Sequence, residues 1–348
     1  APALRPSSAA RRQIVMIERL ENLHVAVEER VNLKRVHRRL QTLAKLLIVT
    51  TFIEDALRVL TTFSVQQQSM EIAGWSSPAL HTLLPALSFA VQSIASIMVV
   101  LPSSSRRPEV GCCMLICWCA WHPIMYGQQR NWEFVLETAT IMGGLLILLS
   151  HFMLLRPSVL RSSSLLPRSN ESASSAGELQ QRAARLQAFG RVLIVSIFVY
   201  IAADKAHSWA VQRTFGPNDG PGVWGWGTRL VELGISLVLL YLCSLVVIGM
   251  KSRSVALILA STMALTAVYM HPFWAYLLSS RKFMMEGVSG MEGFEVDAFT
   301  MADHQRYFFF QTMSTVGALL LLVVHGPGTL SVDEPDGPMK LSSAKGDA

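Results

Sequence analysis

Long apolar stretches alternate with short polar segments along this chain. Eight stretches carry roughly 20 mostly apolar residues each, the length that an α-helix needs to cross the hydrocarbon core of a bilayer. The third stretch is the shortest and ends in His122-Pro123. The pattern predicts eight transmembrane helices, at about residues 41–61, 79–101, 110–126, 133–155, 189–211, 229–250, 254–277 and 306–325.

Composition supports a membrane protein. Apolar residues make up 51% of the 348 positions and charged residues only 16%, whereas soluble domains carry about a quarter charged residues. A chain this apolar lacks the polar side chains needed to cover a water-exposed surface. Composition therefore excludes a cytosolic enzyme, a disulfide-rich secreted scaffold and a disordered chain, and it predicts an all-α polytopic membrane protein.

The basic residues predict the orientation of the helices. Of the 30 Lys and Arg residues, 22 fall on one side of the predicted spans and six on the other, while Arg58 and Lys205 lie within spans. Basic residues in short loops remain on the cytosolic side. The asymmetry predicts an even number of helices with both termini in the cytosol.

A Ser-rich segment between the fourth and fifth spans divides the chain into two halves. It has no apolar periodicity and is typical of a linker. The N-terminal arm is basic, and its acid-free beginning leaves an organelle transit peptide as an alternative. The predicted segments are a basic cytosolic arm (1–40), a first four-helix repeat (41–155), the linker (156–188), a second four-helix repeat (189–325) and a cytosolic tail (326–348).

The two halves resemble each other in sequence. Residues 45–52 match residues 191–198 at an offset of 146, and His122-Pro123 precedes His271-Pro272 by 149 positions. A third set matches at an offset of 174. Its members Phe134, Glu137, Thr138, Met142 and Gly143 correspond to Phe308, Gln311, Thr312, Val316 and Gly317. These matches predict two four-helix repeats in parallel orientation, as several transporter folds have.

Charged groups inside the spans are costly, so they indicate either function or a structural pair. The first span carries Glu54, Asp55 and Arg58, and the spacing allows Glu54 and Arg58 to pair one helical turn apart. The candidate residues for a polar cavity or a cargo-binding site are Glu54, Asp55, Arg58, Glu137, Asp204, Lys205 and Gln311. Structural pairing near the ends of the spans is the alternative for these groups.

Motifs for chemistry are missing from the sequence. Four of the five cysteines have the spacing C-C-x3-C-x-C within an apolar run, which differs from the usual metal-binding spacings. His122 and His271 precede prolines among aromatic residues, where packing is the commoner role for histidine. We predict neither a catalytic site nor a metal site, no cofactor, and no nucleic-acid partner.

Two segments resemble the surfeit locus protein 4 family. They are Thr51–Arg58, similar to the family signature T-F-x-E-D-x-x-R, and Phe308–Ser314 followed by Gly326-Pro327-Gly328. The resemblance implies a cargo receptor, not an enzyme, that cycles between the endoplasmic reticulum and the Golgi. It also implies secretory cargo proteins, vesicle coat components and membrane lipids as partners, with a homo-oligomer left open. DoxX-like four-helix membrane proteins are implied as distant relatives.

One departure from the family keeps other functions open. Family members commonly end in a cytosolic di-lysine signal, whereas the last five residues here contain the single lysine Lys345. The first alternative is an accessory subunit of a mitochondrial or plastid inner-membrane complex. The second is a DoxX-like quinone-linked protein that uses Glu54, Asp55, His122 and His271 to handle protons. Lipid scrambling or transport is the third.

Overall fold

The long apolar runs fold into α-helices, because a helix satisfies its backbone polar groups within its own segment. The structure is a computed structural model that describes residues 33–101, 107–163, 170–215, 223–279, 281–284 and 295–332. Two compact units divide the chain between Thr42 and Leu43. The first unit contributes the opening turns of one long helix, where Arg35, Arg38 and Arg39 are exposed. All packing described below belongs to the second unit.

Ten helices and one short hairpin form the regular structure of the described residues. The helices are α1 (Leu33–Thr61), α2 (Phe63–Ile72), α3 (Pro78–Val100), α4 (Pro108–Met125), α5 (Trp132–Ser163), α6 (Asn170–Phe215), α7 (Val223–Ile248), α8 (Ser252–Met270), α9 (Phe273–Leu277) and α10 (Ala298–His325). The hairpin strands are β1 (Phe283–Met284) and β2 (Glu295–Val296), which pair antiparallel.

Within the described residues, six helical segments are long and apolar enough to cross a membrane. They are α3, Trp132–Leu155 of α5, Gly177–His207 of α6, Leu230–Ile248 of α7, Ser252–Leu277 and α10. The fold class is therefore an all-α polytopic membrane protein, as predicted. The other two predicted spans, 41–61 and 110–126, are also helical, in α1 and α4. Four charged residues within 41–61 of α1 and the polar ends of α4 distinguish these two helices from the other six, so eight spans remain a prediction.

Helices extend into the segment predicted as a linker. Helix α5 runs on to Ser163, and α6 begins at Asn170, well before the predicted span at 189. Both helices continue beyond their apolar stretches, so hydrophobic periodicity does not reveal where they end or begin. The predicted arm lies outside the described residues except for 33–40, and the predicted tail does so except for 326–332.

Helices α1 and α10 approach closely at a glycine. A Cβ atom on Gly317 would lie 2.5 Å from the backbone nitrogen of Ile48 and 2.9 Å from the Cβ of Leu47. One turn earlier, the hydroxyl of Ser314 donates a hydrogen bond to the Leu47 carbonyl at 3.0 Å and accepts one from the Thr51 amide at 3.2 Å. Small residues of this kind let helix backbones approach in lipid, where packing drives helix association.

The same contact occurs between α5 and α6. A Cβ atom on Gly143 would lie 2.8 Å from the backbone nitrogen of Ile194 and 2.9 Å from the Cβ of Leu193. The offset of 146 puts Leu193 and Ile194 in register with the two α1 residues of the previous contact. The offset of 174 puts Gly143 in register with the α10 glycine. Each residue of the α5–α6 contact is therefore the sequence counterpart of a residue in the α1–α10 contact.

Helices α5 and α10 meet each other through matching residues. A Cβ atom on Gly144 would collide with Ala318, which lies 174 positions later. The rings of His151 and His325, also 174 positions apart, lie with their centroids 3.8 Å apart. These contacts therefore join residues that match each other in the sequence comparison of the two halves.

Substituting the α10 glycine should destabilise the fold. We expect Gly317→Ala to lower the free energy of unfolding by about 1–3 kcal/mol, because the new methyl group would force α1 and α10 apart. Thermal unfolding of the detergent-solubilised protein measures the change. The control is Gly234→Ala in α7, where a Cβ meets nothing within 4 Å. An equal loss of stability in the two variants would contradict the close packing of α1 on α10.

Candidate functional site

A buried carboxylate, Asp55, is the centre of a polar network near the end of α1. The Arg58 guanidinium donates to its Oδ1 at 2.5 Å, and the Gln92 amide donates to its Oδ2 at 2.6 Å. The Nε2 atom of His122 lies 3.9 Å from the same Oδ2. Asp55 itself is 4% exposed. Three helices, α1, α3 and α4, thus supply the groups around one charge.

Helix geometry explains how these groups converge. Arg58 follows Asp55 by three positions and lies on the same face of α1. On α3, Ser88, Gln92 and Ser96 follow one another at intervals of four and are all buried. Gln92 also donates to the Ser88 hydroxyl at 2.8 Å, which fixes its amide toward α1. A polar stripe on an otherwise apolar span faces the protein interior because lipid cannot satisfy its hydrogen bonds.

Glu54 faces a different helix from Asp55. Its Oε1 accepts a hydrogen bond from the Nε of Arg306 at 3.0 Å, and Arg306 also pairs with Asp303 at 2.5 Å. The predicted pair between Glu54 and Arg58 is therefore wrong. Arg58 binds its neighbour Asp55, and the start of α10 provides the partner for Glu54. We call the eight residues Glu54, Asp55, Arg58, Gln92, His122, Asp303, Arg306 and Tyr307 the polar cluster.

Aromatic rings surround the charged groups. The Arg58 guanidinium lies over the Tyr307 ring, 4.7 Å from its centroid. The His122 ring stacks on Phe134 at 5.3 Å and meets Tyr126 edge to face at 4.8 Å. A cation placed against a ring face gains electrostatic stabilisation that grows as water is excluded. These rings hold Arg58 and His122 in fixed positions.

A small cavity opens between these helices. It offers about 30 Å³ for the centres of water molecules, which is room for roughly two waters. The side-chain oxygen of Gln311 is buried, and it has no hydrogen-bond partner within the described part of the chain. The Oε2 atom of Glu54, outside the cavity lining, is likewise buried and without a partner there. The cavity is lined by Thr51, Phe52, Asp55, Gln92, Trp118, Cys119, His122, Thr138, Ile141, Tyr307 and Gln311.

The structure brings together some of the predicted site residues and separates others. Gln311 lines the cavity beside Asp55, and Glu137 lies one position before the cavity residue Thr138 on α5. Asp204 and Lys205 are exposed on α6 and belong to neither the cavity nor the polar cluster.

The sequence counterpart of His122 lies in a different environment. His271 stacks on Phe308 at 5.6 Å, as His122 stacks on Phe134. Its Nδ1 shares a hydrogen bond with the Gln305 side chain at 2.9 Å, whereas His122 faces Asp55. The aromatic packing therefore occurs twice, and the carboxylate lies beside only the first histidine.

Sequence reasoning missed four members of the polar cluster: Gln92 on α3, and Asp303, Arg306 and Tyr307 on α10. The stripe of Ser88, Gln92 and Ser96 would have identified Gln92, because four-residue spacing of polar groups marks one helix face. Arg306 is the first residue of the predicted span 306–325, yet α10 begins eight residues earlier, at Ala298. Asp297 caps this helix by accepting from the Thr300 amide at 3.0 Å, which lowers the pKa of Asp297.

Among the described residues, no group of three or more His, Cys, Asp and Glu side chains is arranged to hold a metal ion. None of the five cysteines forms a disulfide bond. The polar cluster contains two arginines and three carboxylates, and the Glu54 Oε2 atom has no donor among the described residues.

A sequence model of the SURF4 family matches residues 19–215 and 294–337. These residues make up more than half of the chain, and they contain the whole polar cluster. The chain belongs to the SURF4 family. Membership and the membrane-spanning helices together make it a multi-pass membrane protein of a transport family.

Individual SURF4 relatives match most of the chain. A Surfeit locus protein 4 homolog of Drosophila melanogaster is 23% identical over 87% of this chain and 92% of its own length. A homolog of the same name from Schizosaccharomyces pombe is 25% identical over 84% of this chain and 80% of its own. The ER-derived vesicles protein ERV29 of Saccharomyces cerevisiae is 23% identical over 84% and 76%. A search of solved structures finds no match.

Removing the partner of Glu54 should destabilise the helix bundle. We expect Arg306→Gln to cost about 1–3 kcal/mol of unfolding free energy, because Glu54 would remain buried with its charge uncompensated. The double variant Glu54→Gln/Arg306→Gln should recover part of this loss. Thermal unfolding in detergent measures each variant.

The control is Lys282→Gln, which breaks an exposed pair with Glu295. Exposed pairs contribute less than about 1 kcal/mol. If Arg306→Gln and Lys282→Gln cost the same, the Glu54–Arg306 pair does not hold α1 to α10.

Proposed function

We propose that this protein is a cargo receptor that binds soluble secretory proteins at the luminal face of the endoplasmic reticulum membrane. It would carry them toward the Golgi in coated vesicles, with cytosolic loops engaging the coat. The observation that carries the proposal is that the SURF4 match includes every residue of the polar cluster. The name of the ERV29 relative refers to vesicles derived from the same compartment. The proposed function includes no catalytic step and no cofactor.

The proposed topology places the polar cluster on the luminal side. Helix α1 begins in a basic segment that includes Arg35, Arg38 and Arg39, and it ends at the cluster. Basic residues of this kind favour the cytosolic side. Both termini are cytosolic in this topology, and the protein is an endoplasmic reticulum membrane protein that cycles to the Golgi.

Two buried acceptor oxygens indicate which chemical groups of the cargo would bind: hydrogen-bond donors. Glu54 Oε2 and Gln311 Oε1 are buried oxygens that lack a donor within the described residues, and a buried acceptor without a partner is costly. A backbone N–H or an amino group of a cargo segment would satisfy them. The cavity admits only about two waters, so one donor group enters it to reach Gln311, while the rest of a short N-terminal or hydrophobic motif lies outside and supplies the donor for Glu54.

The proposed architecture is two four-helix repeats related by a pseudo-twofold axis along the membrane normal. Support comes from the contacts at Gly143 and Gly317. The two glycines correspond to each other in sequence, and so do the residues that they contact. Support also comes from the meeting of His151 with its counterpart His325. Helices α1 and α4 then complete the first repeat as membrane spans, which gives eight in total.

Cargo export should depend on the polar cluster. Loss of the protein should trap particular secretory proteins in the endoplasmic reticulum, and wild-type protein should restore their secretion. We expect Asp55→Asn and Gln311→Met to bind cargo about tenfold more weakly in pull-down from detergent extracts, since each removes an acceptor or its orienting charge. Gln311→Met preserves volume and removes an unsatisfied oxygen, so it should fold normally.

The matched control for Asp55→Asn is Asp204→Asn, which neutralises an exposed charge on α6. It should restore export fully. Unchanged secretion across the secretome after deletion would refute the receptor role. Equal cargo binding by Asp55→Asn and Asp204→Asn would refute the assignment of the site.

Glycosylation tests the proposed topology. The only natural acceptor sequence, Asn170-Glu171-Ser172, lies on the predicted cytosolic side and should remain unmodified. The Gly287→Asn substitution creates an Asn-Val-Ser acceptor between β1 and β2, on the predicted luminal side, and should be glycosylated. A mobility shift that disappears on deglycosylation reports the modification. The opposite pattern would invert the orientation.

A further inference from the structure

Several buried hydrogen-bond donors lie at the end of the helix bundle that is farther from the polar cluster. Arg306 and Gly326 are 20 positions apart on α10 and its C-cap, which corresponds to about 30 Å along a helix. At the Gly326 end, Arg191 of α6 is 2% exposed, the most deeply buried arginine among the described residues. Its Nη2 donates to the Leu330 carbonyl. Its Nε and Nη1 are buried and have no partner within the described residues.

Arg191 lies against the turn that joins α7 to α8. A Cβ atom on Gly249 would collide with its Nη1, so that nitrogen contacts the turn directly. The chain after α10 covers the other side: Gln187 donates to the Gly326 carbonyl at 2.9 Å, and the Val332 amide donates to the Ile248 carbonyl at 3.2 Å. The turn is therefore fixed in place from both sides.

The conformation of this turn is unusual. Gly249 has a φ of +81° and Lys251 a φ of +49°; among the described residues, Lys251 is the only residue other than glycine with a positive φ. A lysine in the left-handed region is uncommon, and such strain occurs where the surroundings require it. The Gly249 and Met250 amides both donate to the Leu245 carbonyl, at 2.9 and 3.0 Å, so the concavity beside this turn takes its free backbone donors from the start of the next helix.

Helix α8 begins at this concavity and lacks a cap. It has 19 residues, and no side chain of the described chain caps its first turn. The free N–H groups and the helix dipole make such an end attractive to anions. Ser252, the first helical residue, is fully buried, and its hydroxyl has no partner among the described residues. The Nε of Arg253 is also buried without a partner there.

Carboxylates do not neutralise these cations within the described part of the chain. Arg191, Lys251 and Arg253 appear in none of its ion pairs. Leaving a guanidinium buried without a counter-charge costs several kcal/mol. Lys251 is exposed and Arg253 is half-buried, so an anion reaches the turn from the solvent side, with Arg191 beneath it.

We propose that the turn Gly249–Lys251, the start of α8 and Arg191 form a binding site for a phosphate group. A phosphate offers several acceptor oxygens and full negative charge, which matches backbone N–H groups, a hydroxyl and two arginines in one place. The turn lies between the candidate spans Leu230–Ile248 and Ser252–Leu277. It is therefore at a membrane interface, where lipid phosphates lie. The phosphate comes either from a phospholipid headgroup or from a soluble phosphate compound.

The test uses the full-length protein in two arms. In the first arm, the detergent-purified protein is titrated with inorganic phosphate by calorimetry. In the second, the protein is reconstituted in nanodiscs of phosphatidylcholine with or without phosphatidylinositol 4-phosphate, and retained lipid is measured by native mass spectrometry. Binding in the first arm alone identifies a soluble source, and retention in the second alone identifies a headgroup. Each supports the site, whereas binding in neither arm overturns it.

Two variants test the assigned residues, and a third is the control. Arg253→Gln and Ser252→Ala should each weaken binding about tenfold, because each removes a donor to the anion. Ser252→Ala removes a buried hydroxyl without a partner, so the unliganded protein should unfold at an unchanged temperature. Arg191 also holds the Leu330 carbonyl, so the test relies on the other two residues.

The control is Arg182→Gln, an exposed arginine on the same helix as Arg191. It should bind phosphate or lipid as the wild type does. If all three variants bind equally, the anion is attracted by general positive charge and the proposed site is wrong. This result is independent of cargo binding, because the polar cluster lies at the other end of α10.

Discussion

Burial of Asp55 within a membrane-spanning bundle is the constraint on which the first half of the structure depends. A carboxylate in the hydrocarbon region is tolerated only when a fixed cation and hydrogen-bond donors surround it. Here Arg58 is the cation and Gln92 the donor. Because these groups come from α1 and α3, and Glu54 next to Asp55 pairs with Arg306 of α10, the charges tie together helices that apolar contacts alone would leave free to slide in lipid.

The packing is duplicated, but the polar chemistry is not. Glycine contacts recur between α1 and α10 and between α5 and α6, and histidine stacks on phenylalanine in both halves. In the proposed repeat, the position of Asp55 corresponds to Ile201, which is 38% exposed. In the proposed architecture both halves therefore share a similar scaffold, and the buried carboxylates Glu54 and Asp55 belong to the first half.

The helices and some of the buried charged residues could be predicted from the sequence, for physical reasons. Apolar runs predict helices because lipid forces backbone hydrogen bonds to close within a segment. Charges within a span are rare enough to identify Glu54, Asp55 and Arg58 as candidates. Their partners are harder to predict, since a helix face can choose among several neighbours. Glu54 therefore bonds to Arg306, 252 positions away, instead of to the nearer Arg58.

The ends of the helices are also hard to predict from the sequence. Helices α6 and α10 begin well before their apolar stretches, in residues whose helix propensity is ordinary. The early start of α10 places Arg306 inside the helix, where it can reach α1. The exposure of Asp204 and Lys205 on α6 likewise depends on which face of the helix packs. The sequence alone does not show which face of α6 packs against other helices, so it does not show whether these two neighbouring residues are buried.

In the proposed receptor, two buried acceptors, Glu54 Oε2 and Gln311 Oε1, receive donors from secretory cargo. The decisive measurement is a structure of the protein with bound cargo. We expect a cargo N–H or amino group within hydrogen-bond distance of each of these oxygens, with Asp55 and Arg58 still paired. Cargo bound on another surface, with both oxygens unchanged, would refute this role.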